Sequence, residues 1–377
     1  MRTARMLALT TLTAALCLAA PPPASAQWCS GIYRIDQGFS VGTPQETRWL
    51  ICWQMQKKHG LVITSAHFRK SPTSPWVQVF YDARVAEIFV PYHNGTTRFY
   101  DVTGFNFDWV RLNANDCPAA IGVRLGAPPG NNDVCKIVRD RGLVWKNDQQ
   151  VRRGQELVLW GAIDAANYNY VTEFAFRDDG VVEGRLGATG PNYPSHPLIA
   201  HIHNAIWRLD IDLNGFAGDS VRFGTHTENL PGLTATDTAP LIATEGGWVW
   251  DPARYNTLHI HDSLLKNSHG NSSMYHLMPL RLGNSRHQEA FTKNDFWVTR
   301  YNPTEFSPKN LPNTYTTPAQ AVNGSDVVVW YTHGAHHLVR DEDGRIISGV
   351  WKGVAHIMWV GFMLKPHNVF DGTPLYP

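Results

Sequence analysis

Two groups of histidines and one pair of aspartates have the residue types and spacing that could do chemistry. His201 and His203 stand two apart in "LIAHIHNAIWRLDIDLNG", and His333, His336 and His337 end the apolar run of "VVVWYTHGAHHLVRDED". On an extended strand, residues i and i+2 project from one face, so His201 and His203 present both imidazoles to the same side. Imidazoles that converge from separate strands make a transition-metal site, one that suits Cu(II) as well as zinc. Hydrogen-bonded structural histidines would give the same local pattern, and composition does not say which of His333, His336 and His337 would join the pair. Asp210 and Asp212 lie further along the first strand, on the opposite face. Two carboxylates with the Ile211 carbonyl between them form part of an oxygen site for Ca²⁺, or else a solvated acidic edge. In "DAANYNYVTEFAF", residues 164–176, Tyr168, Tyr170, Thr172, Phe174 and Phe176 share a strand face that belongs in a core. Taken locally, Tyr168 is a core tyrosine whose hydroxyl needs one partner.

These residues must be positioned by strands. Alternating segments such as "WLICWQM", "LVITSAHF", "AEIFVPY", "ELVLWGAI", "FWVTRY" and "AHIMWVGFMLK" run the length of the chain, separated by turn residues including "HG", "SPTSP" and "HNGTT". With 24 prolines, 31 glycines and few long helical patterns, the fold class is all-β: one large antiparallel β-sandwich. No short-period repeat or low-complexity linker divides it, so residues 27–377 read as a single domain.

The first 26 residues, "MRTARMLALTTLTAALCLAAPPPASA", place arginines before an apolar run and a small-residue "ASA" at its end. This reads as a secretory signal cleaved before Gln27, so the expectation is a secreted, extracellular or periplasmic protein. No later stretch is apolar for long enough to span a bilayer. Removing Arg2 and Arg5 from the 33 basic residues leaves 31 against 32 acidic ones, a balance with no electrostatic footprint for nucleic acid or an anionic membrane. Four cysteines remain, an even count that suggests two disulfides in one of three connectivities. Cys117 and Cys135 flank a short Pro/Gly/Asn-rich loop, whose closure is worth about 3 kcal/mol in the chain-entropy model. They are paired here, leaving Cys29 with Cys52.

Taken together and in order, these segments resemble the catalytic domain of the copper amine oxidases, enzymes whose topaquinone (TPQ) cofactor is made from a tyrosine of the chain. The resemblance begins near "WQMQKKHGLVI" and "VFYDARVAEIFVPY". It continues through "ELVLWGAIDAANYNYVTEFAFRDDG" and "HIHNAIWRLDIDLNG", and ends with "DVVVWYTHGAHHLVRDED" and "VGFMLKPHNVFD". It implies that Tyr168 is the quinone precursor, flanked by Asn167 and Asn169, which would orient the ring. The copper ligands would be His201, His203 and His337. Asp101, in "RFYDVTGF", would be the catalytic base, and Tyr92 the tyrosine that hydrogen-bonds the quinone oxygen. A secondary Ca²⁺ site would use Asp210, the Ile211 carbonyl, Asp212, Asp326 and the Val327 carbonyl. Cys117 and Cys135 match the family's intradomain disulfide.

The chain departs from the family pattern at several places. Asp164 stands where a threonine is usual and Asn169 where an acid follows the tyrosine. Val-Thr-Gly-Phe-Asn replaces Ala-Gly-Glu-Tyr-Gly after Asp101, and the loop from Tyr92 to Asp101 is shorter. The family's smaller N-terminal domains are expected to be absent. The activity implied is oxidative deamination of a primary amine by O₂ to aldehyde, ammonia and hydrogen peroxide, by a homodimer carrying Cu(II) and topaquinone. Two other readings use the same sandwich. One is a copper-binding relative or partner subunit without quinone chemistry; the other is a tryptophan-rich domain that binds glycans or protein through exposed tryptophans.

Overall fold

The computed structural model describes residues 29–40, 46–130, 132–230, 232–280, 287–372 and 374. The secretory signal expected over residues 1–26 lies outside these. Two large antiparallel sheets face one another, as the alternation of apolar residues requires. The path of the first runs from Arg34–Ser40 through Glu46–Gln56, Gly60–Arg69, Asp82–Pro91, His201–Asp210, Val327–His337 and Phe296–Arg300 to Gly246–Trp248. The second has Thr257–Lys266, Ser272–Pro279, Ala355–His367, Val182–Gly190, Tyr168–Arg177 and Val151–Ala165 along its middle. No helix of the described residues is long and apolar enough to cross a membrane.

Burial of one face of each sheet drives the sandwich. Trp207 of the first sheet meets Phe174 and Phe362 of the second edge-on, at 5.6 and 5.2 Å between ring centroids. Trp49 packs on Phe176 and its indole N–H donates to the Arg177 carbonyl across the gap at 2.8 Å. Trp49, Trp53, Trp207 and Trp330 are fully buried, and no described tryptophan is among the exposed large apolar residues. The disulfides are Cys29–Cys52 and Cys117–Cys135, the expected pairing.

Two connections matter for the site. Strands Val151–Ala165 and Tyr168–Arg177 form a hairpin in which Ala165 pairs with Tyr168, leaving Ala166 and Asn167 as its turn. Ala166 takes φ +62°, a left-handed conformation that costs a non-glycine residue roughly 1 kcal/mol. Gly190, at the end of the neighbouring strand, passes so close that an added Cβ would lie 2.1 Å from the Asn167 carbonyl oxygen and 2.8 Å from the Tyr168 Cα. The start of the tyrosine strand is thus clamped from one side by a glycine that no larger residue could replace.

Candidate active site

The two central strands of the first sheet bring the histidines together. His201–Asp210 and Val327–His337 pair antiparallel in a register that sets His201 opposite His337 and His203 opposite Ala335. One nitrogen from each of His201, His203 and His337 lies within 4.8 Å of the others, and all three residues are buried. The other two histidines of the second cluster go elsewhere. His333 is in the core, where its Nε2 accepts from the Trp207 indole N–H at 3.1 Å, and burial holds it neutral, down to about 3. His336 is on the opposite face, exposed, and stacks on His93.

Each nitrogen facing away from the trio has a partner. His201 Nδ1 donates to the Ile199 carbonyl at 3.1 Å. His203 Nδ1 donates to the Tyr170 hydroxyl oxygen at 3.1 Å, and His337 Nε2 to Asp343 Oδ2 at 2.9 Å. Those bonds fix the tautomers and leave His201 Nε2, His203 Nε2 and His337 Nδ1 as bare acceptors. His203 Nε2 is buried without any partner. His201 Nε2 and His337 Nδ1 are 3.2 Å apart, two lone pairs facing each other. Three imidazoles whose acceptor nitrogens converge in a buried site are a donor set for a transition-metal cation, and they fit Cu(II). Burial first, and the neighbouring imidazoles second, hold His201 down to about 4 and His203 well below its ordinary value, so protons do not compete for these nitrogens near neutrality.

Tyr168 reaches this trio from the facing sheet. Its hydroxyl is 2.8 Å from His337 Nδ1 and 3.4 Å from His201 Nε2, and its ring is 4.8 Å from that of His203. A phenol so placed fits a residue whose ring is to be oxidised beside the metal. Burial pushes its hydroxyl up, with Tyr92 and Asp343 adding to the effect; a bound cation would act in the opposite sense. Tyr92 stacks on His201 at 4.3 Å between ring centroids and borders the same cavity. Asn167 borders it too, its amide anchored on the Pro191 carbonyl at 2.9 Å. Asn169 does not: it is exposed on the other side of the strand, opposite Asp164, and its amide reaches only the Tyr168 carbonyl. Strand alternation, which puts Tyr168 and Tyr170 inward, puts Asn169 outward, so its side chain does not border the ring that it was expected to orient.

Asp101 follows the short strand Arg98–Tyr100 and enters the cavity on the side of Tyr170, whose hydroxyl donates to Asp101 Oδ2 at 2.5 Å. Burial pushes the Asp101 carboxyl up to about 7, against the pull of the Tyr170 hydrogen bond, with Glu87 adding to the rise. Tyr170 thus joins the carboxyl to the copper-side imidazole in one chain: His203 donates to Tyr170, and Tyr170 donates to Asp101. The loop holding Asp101 is organised by Glu87, a fully buried carboxylate that accepts from the Val102 N–H at 2.8 Å and from both the N–H and the hydroxyl of Thr103.

Tyr170, Glu87 and Asp343 were not singled out from the sequence. Tyr170 shared the face of Tyr168; Glu87 is one acid inside the apolar run "VAEIFVPY"; Asp343 lies six residues after His337 in "VRDED". Burial pushes Asp343 up, but the Arg340 guanidinium and N–H and the His337 imidazole more than offset it, keeping it below the ordinary carboxylate range. A cavity of about 360 Å³ opens over Tyr168, walled by Phe99, Phe107 and Tyr193 as well as by the polar groups above. Phe105, 40% exposed, stacks on Phe107 at its mouth.

At the far end of the same ladder, carboxylate oxygens of Asp210, Asp212 and Asp326 lie within 4.8 Å of one another. Neither oxygen of Asp210 accepts a hydrogen bond, and the Arg208 guanidinium is 3.5 Å away. Ile211 and Val327, both buried, carry the adjoining carbonyls. Asp219, which the sequence reading missed, is fully buried nearby with both carboxylate oxygens unpartnered. Burial first, then mutual repulsion, pushes Asp212 up to about 7 and Asp219 to about 9.

Comparison with known proteins gives the same grouping from outside the chain. The family profile "Copper amine oxidase, enzyme domain" matches residues 46–196 and 193–376. The peroxisomal copper-containing amine oxidase alpha 2 of Arabidopsis thaliana is 24% identical over 402 residues, spanning 87% of this chain and 58% of its own. The histamine oxidase of Arthrobacter globiformis is 26% identical over 382 residues, spanning 84% and 54%. The chain therefore spans somewhat over half the length of these relatives. Among solved structures, a copper-containing benzylamine oxidase from Hansenula polymorpha superposes with a TM-score of 0.69 at 18% identity, covering 89% of this chain and 62% of that one. That likeness establishes the shared fold.

Proposed function

The chain belongs to the copper amine oxidase family, and on that footing we propose that it oxidises a primary amine with O₂ and water to an aldehyde, ammonia and hydrogen peroxide. The observation that carries the reading is the meeting, around the Tyr168 ring, of three imidazole nitrogens on one side and a buried carboxyl at Asp101, joined through Tyr170, on the other. His201, His203 and His337 would hold Cu(II), and Tyr168 would be the topaquinone precursor. The quinone supplies, when formed, an electrophilic carbonyl and a sink for the two electrons of the amine, which O₂ then accepts.

What the chain's own residues do follows from their placement. Asp101, ionised above about pH 7, is the group that removes the proton from the amine's α-carbon, because its raised basicity matches that task near neutrality. Tyr170 aims the carboxylate through its hydrogen bond and couples its position to His203. Tyr92 and Asn167 border the ring and limit its tilt. The aromatic wall of Phe99, Phe105, Phe107 and Tyr193 excludes water and suits an amine with an apolar body over a polycation. Asp164 and Asn169, the two departures beside Tyr168, face each other on the solvent side of the hairpin, so neither alters the cavity wall.

Three further features belong to the same proposal. Ca²⁺ would bind Asp210, Asp212 and Asp326 with the Ile211 and Val327 carbonyls, an all-oxygen set of the type that ion takes. Export is supported by two disulfides, which persist in oxidising compartments. The homodimer rests on the family alone.

The test is the visible spectrum of metal-free protein before and after Cu(II) is added in air, with Tyr168→Phe alongside. A quinone band that grows with copper, shifts with phenylhydrazine and is missing in the variant supports the oxidase. Copper binding without the band overturns it in favour of a copper-binding relative.

A further inference from the structure

A second group of soft donors lies on the outer face of the second sheet, unrelated to the cavity above. In strands Thr257–Lys266, Ser272–Pro279 and Ala355–His367, alternation sends Leu258, Ile260, Tyr275, Leu277 and Leu364 into the core. The opposite face carries a grid of two rows. His259 pairs with His276 and His276 with Lys365; His261 pairs with Met274 and Met274 with His367. Directly opposed cross-strand residues have Cβ atoms about 5 Å apart, so four imidazoles and a thioether share one small patch.

The rings are ordered. His276 is stacked between His259 and His367, with centroids at 4.0 and 4.6 Å and planes within 13° and 17° of parallel. His276 Nε2–H is placed to donate to Met274 Sδ at 3.1 Å, close enough for nitrogen and sulfur to share one metal ion that displaces this proton. His261, across from Met274, has its Nε2 buried with no partner, whereas His259 Nε2 is occupied by the Thr257 hydroxyl at 2.8 Å. An outer sheet face ordinarily carries solvated charges. The face offers imidazole nitrogens and one sulfur, with Lys365 and no carboxylate at the remaining grid position.

We propose that Met274 Sδ, His276 Nε2 and His261 Nε2 form a second copper site, specific for Cu(I), with His367 stacked over it. Thioether and imidazole together select Cu(I) over the hard divalent ions, and every described cysteine is locked in a disulfide, so no thiolate competes. The site needs no quinone chemistry and stands whether or not the chain oxidises amines.

The experiment titrates Cu(I), under ascorbate and without oxygen, into the metal-free full-length protein against a chromogenic Cu(I) chelator, and records X-ray absorption on the loaded protein. The wild type should withhold two equivalents and show a sulfur neighbour to copper. The double variant Met274→Leu/His276→Gln, at half-buried positions on an outer face and close in volume to the wild type, should withhold one equivalent, with no sulfur neighbour and an unchanged circular dichroism spectrum. His201→Ala/His203→Ala should lose the other equivalent and keep the sulfur signal. Loaded wild type without a sulfur neighbour to copper, or a sulfur-bound equivalent that survives Met274→Leu/His276→Gln, overturns the site.

Discussion

The two ends of a single strand pair solve opposite electrostatic problems. Strands His201–Asp210 and Val327–His337 carry three imidazoles at one end and three carboxylates at the other. On each imidazole the nitrogen facing away from the trio is already bonded, to Ile199, Tyr170 or Asp343. His337 Nδ1 accepts from the Tyr168 hydroxyl and only His203 Nε2 is left without a partner, so that end is organised before any metal arrives. The carboxylates become anions when they ionise, and burying unpaired anions is far more expensive. Asp210 and Asp219 keep all four of their oxygens without a hydrogen bond, with the Arg208 guanidinium 3.5 Å from Asp210, so on the proposed reading a bound cation would stabilise that end. A metal at the nitrogen end should thus govern activity, and one at the oxygen end should govern stability.

The largest test of this contrast is His203→Ala. It removes a ligand and the anchor of Tyr170, and amine-dependent peroxide release should fall below detection with loss of copper by metal analysis. Asp343→Asn keeps the ligand set but weakens the bond orienting His337, and copper affinity should drop roughly 10–100-fold in a chelator competition. If it changes nothing, the nitrogen end is not held by its surroundings as described.

At the oxygen end the expected effect is on melting. The raised values of Asp212 (about 7) and Asp326 (about 6) mean that the fold favours their protonated forms. The folded state then binds more protons than the unfolded chain, and cation-free stability falls as pH rises from about 4 through 7. Ca²⁺ should raise Tm by on the order of 5 °C, and by more at pH 8 than at pH 5. Asp212→Asn should raise Tm by about 2–4 °C without the cation and lower it with Ca²⁺, a reversal that His203→Ala should not show.

Tyr170→Phe sharpens the comparison from inside the cavity. The Tyr170 hydrogen bond pulls the Asp101 carboxyl down, so its loss should move the acid limb of kcat to higher pH while activity well above the limb is largely kept. The smallest effect is expected for Asn169→Asp. It restores the family's usual acid at an exposed position, and kcat/KM should change by less than about twofold. A large gain would show that the outward face of the hairpin reaches the chemistry after all.

Much of this was legible in the chain itself. Period-two alternation put His201 with His203, opposed Asp210 to both, and turned Tyr168, Tyr170 and Phe174 toward a core, because strand faces follow from local backbone geometry. Redox context and loop length paired the cysteines. The all-β class followed from turn chemistry and the short apolar runs.

Other features required strands far apart in sequence to be brought into register. Alternation puts His333 and His337 on one face and cannot choose between them; the ladder does, by setting His337 against His201 and His333 against Ala205. Tyr170 looked like core until Asp101 and His203 closed on its hydroxyl from the other sheet. Asp219 drew no notice in the sequence, and only folding buried it beside Asp212. Asn169 sits next to the key tyrosine in sequence yet faces solvent. The sequence determined which side chains could ligate, donate or titrate and which way each strand turns them. The tertiary structure decided which of them meet, because hydrogen-bond partners, burial and repulsion depend on neighbours far apart along the chain, 169 residues in the case of Tyr168 and His337.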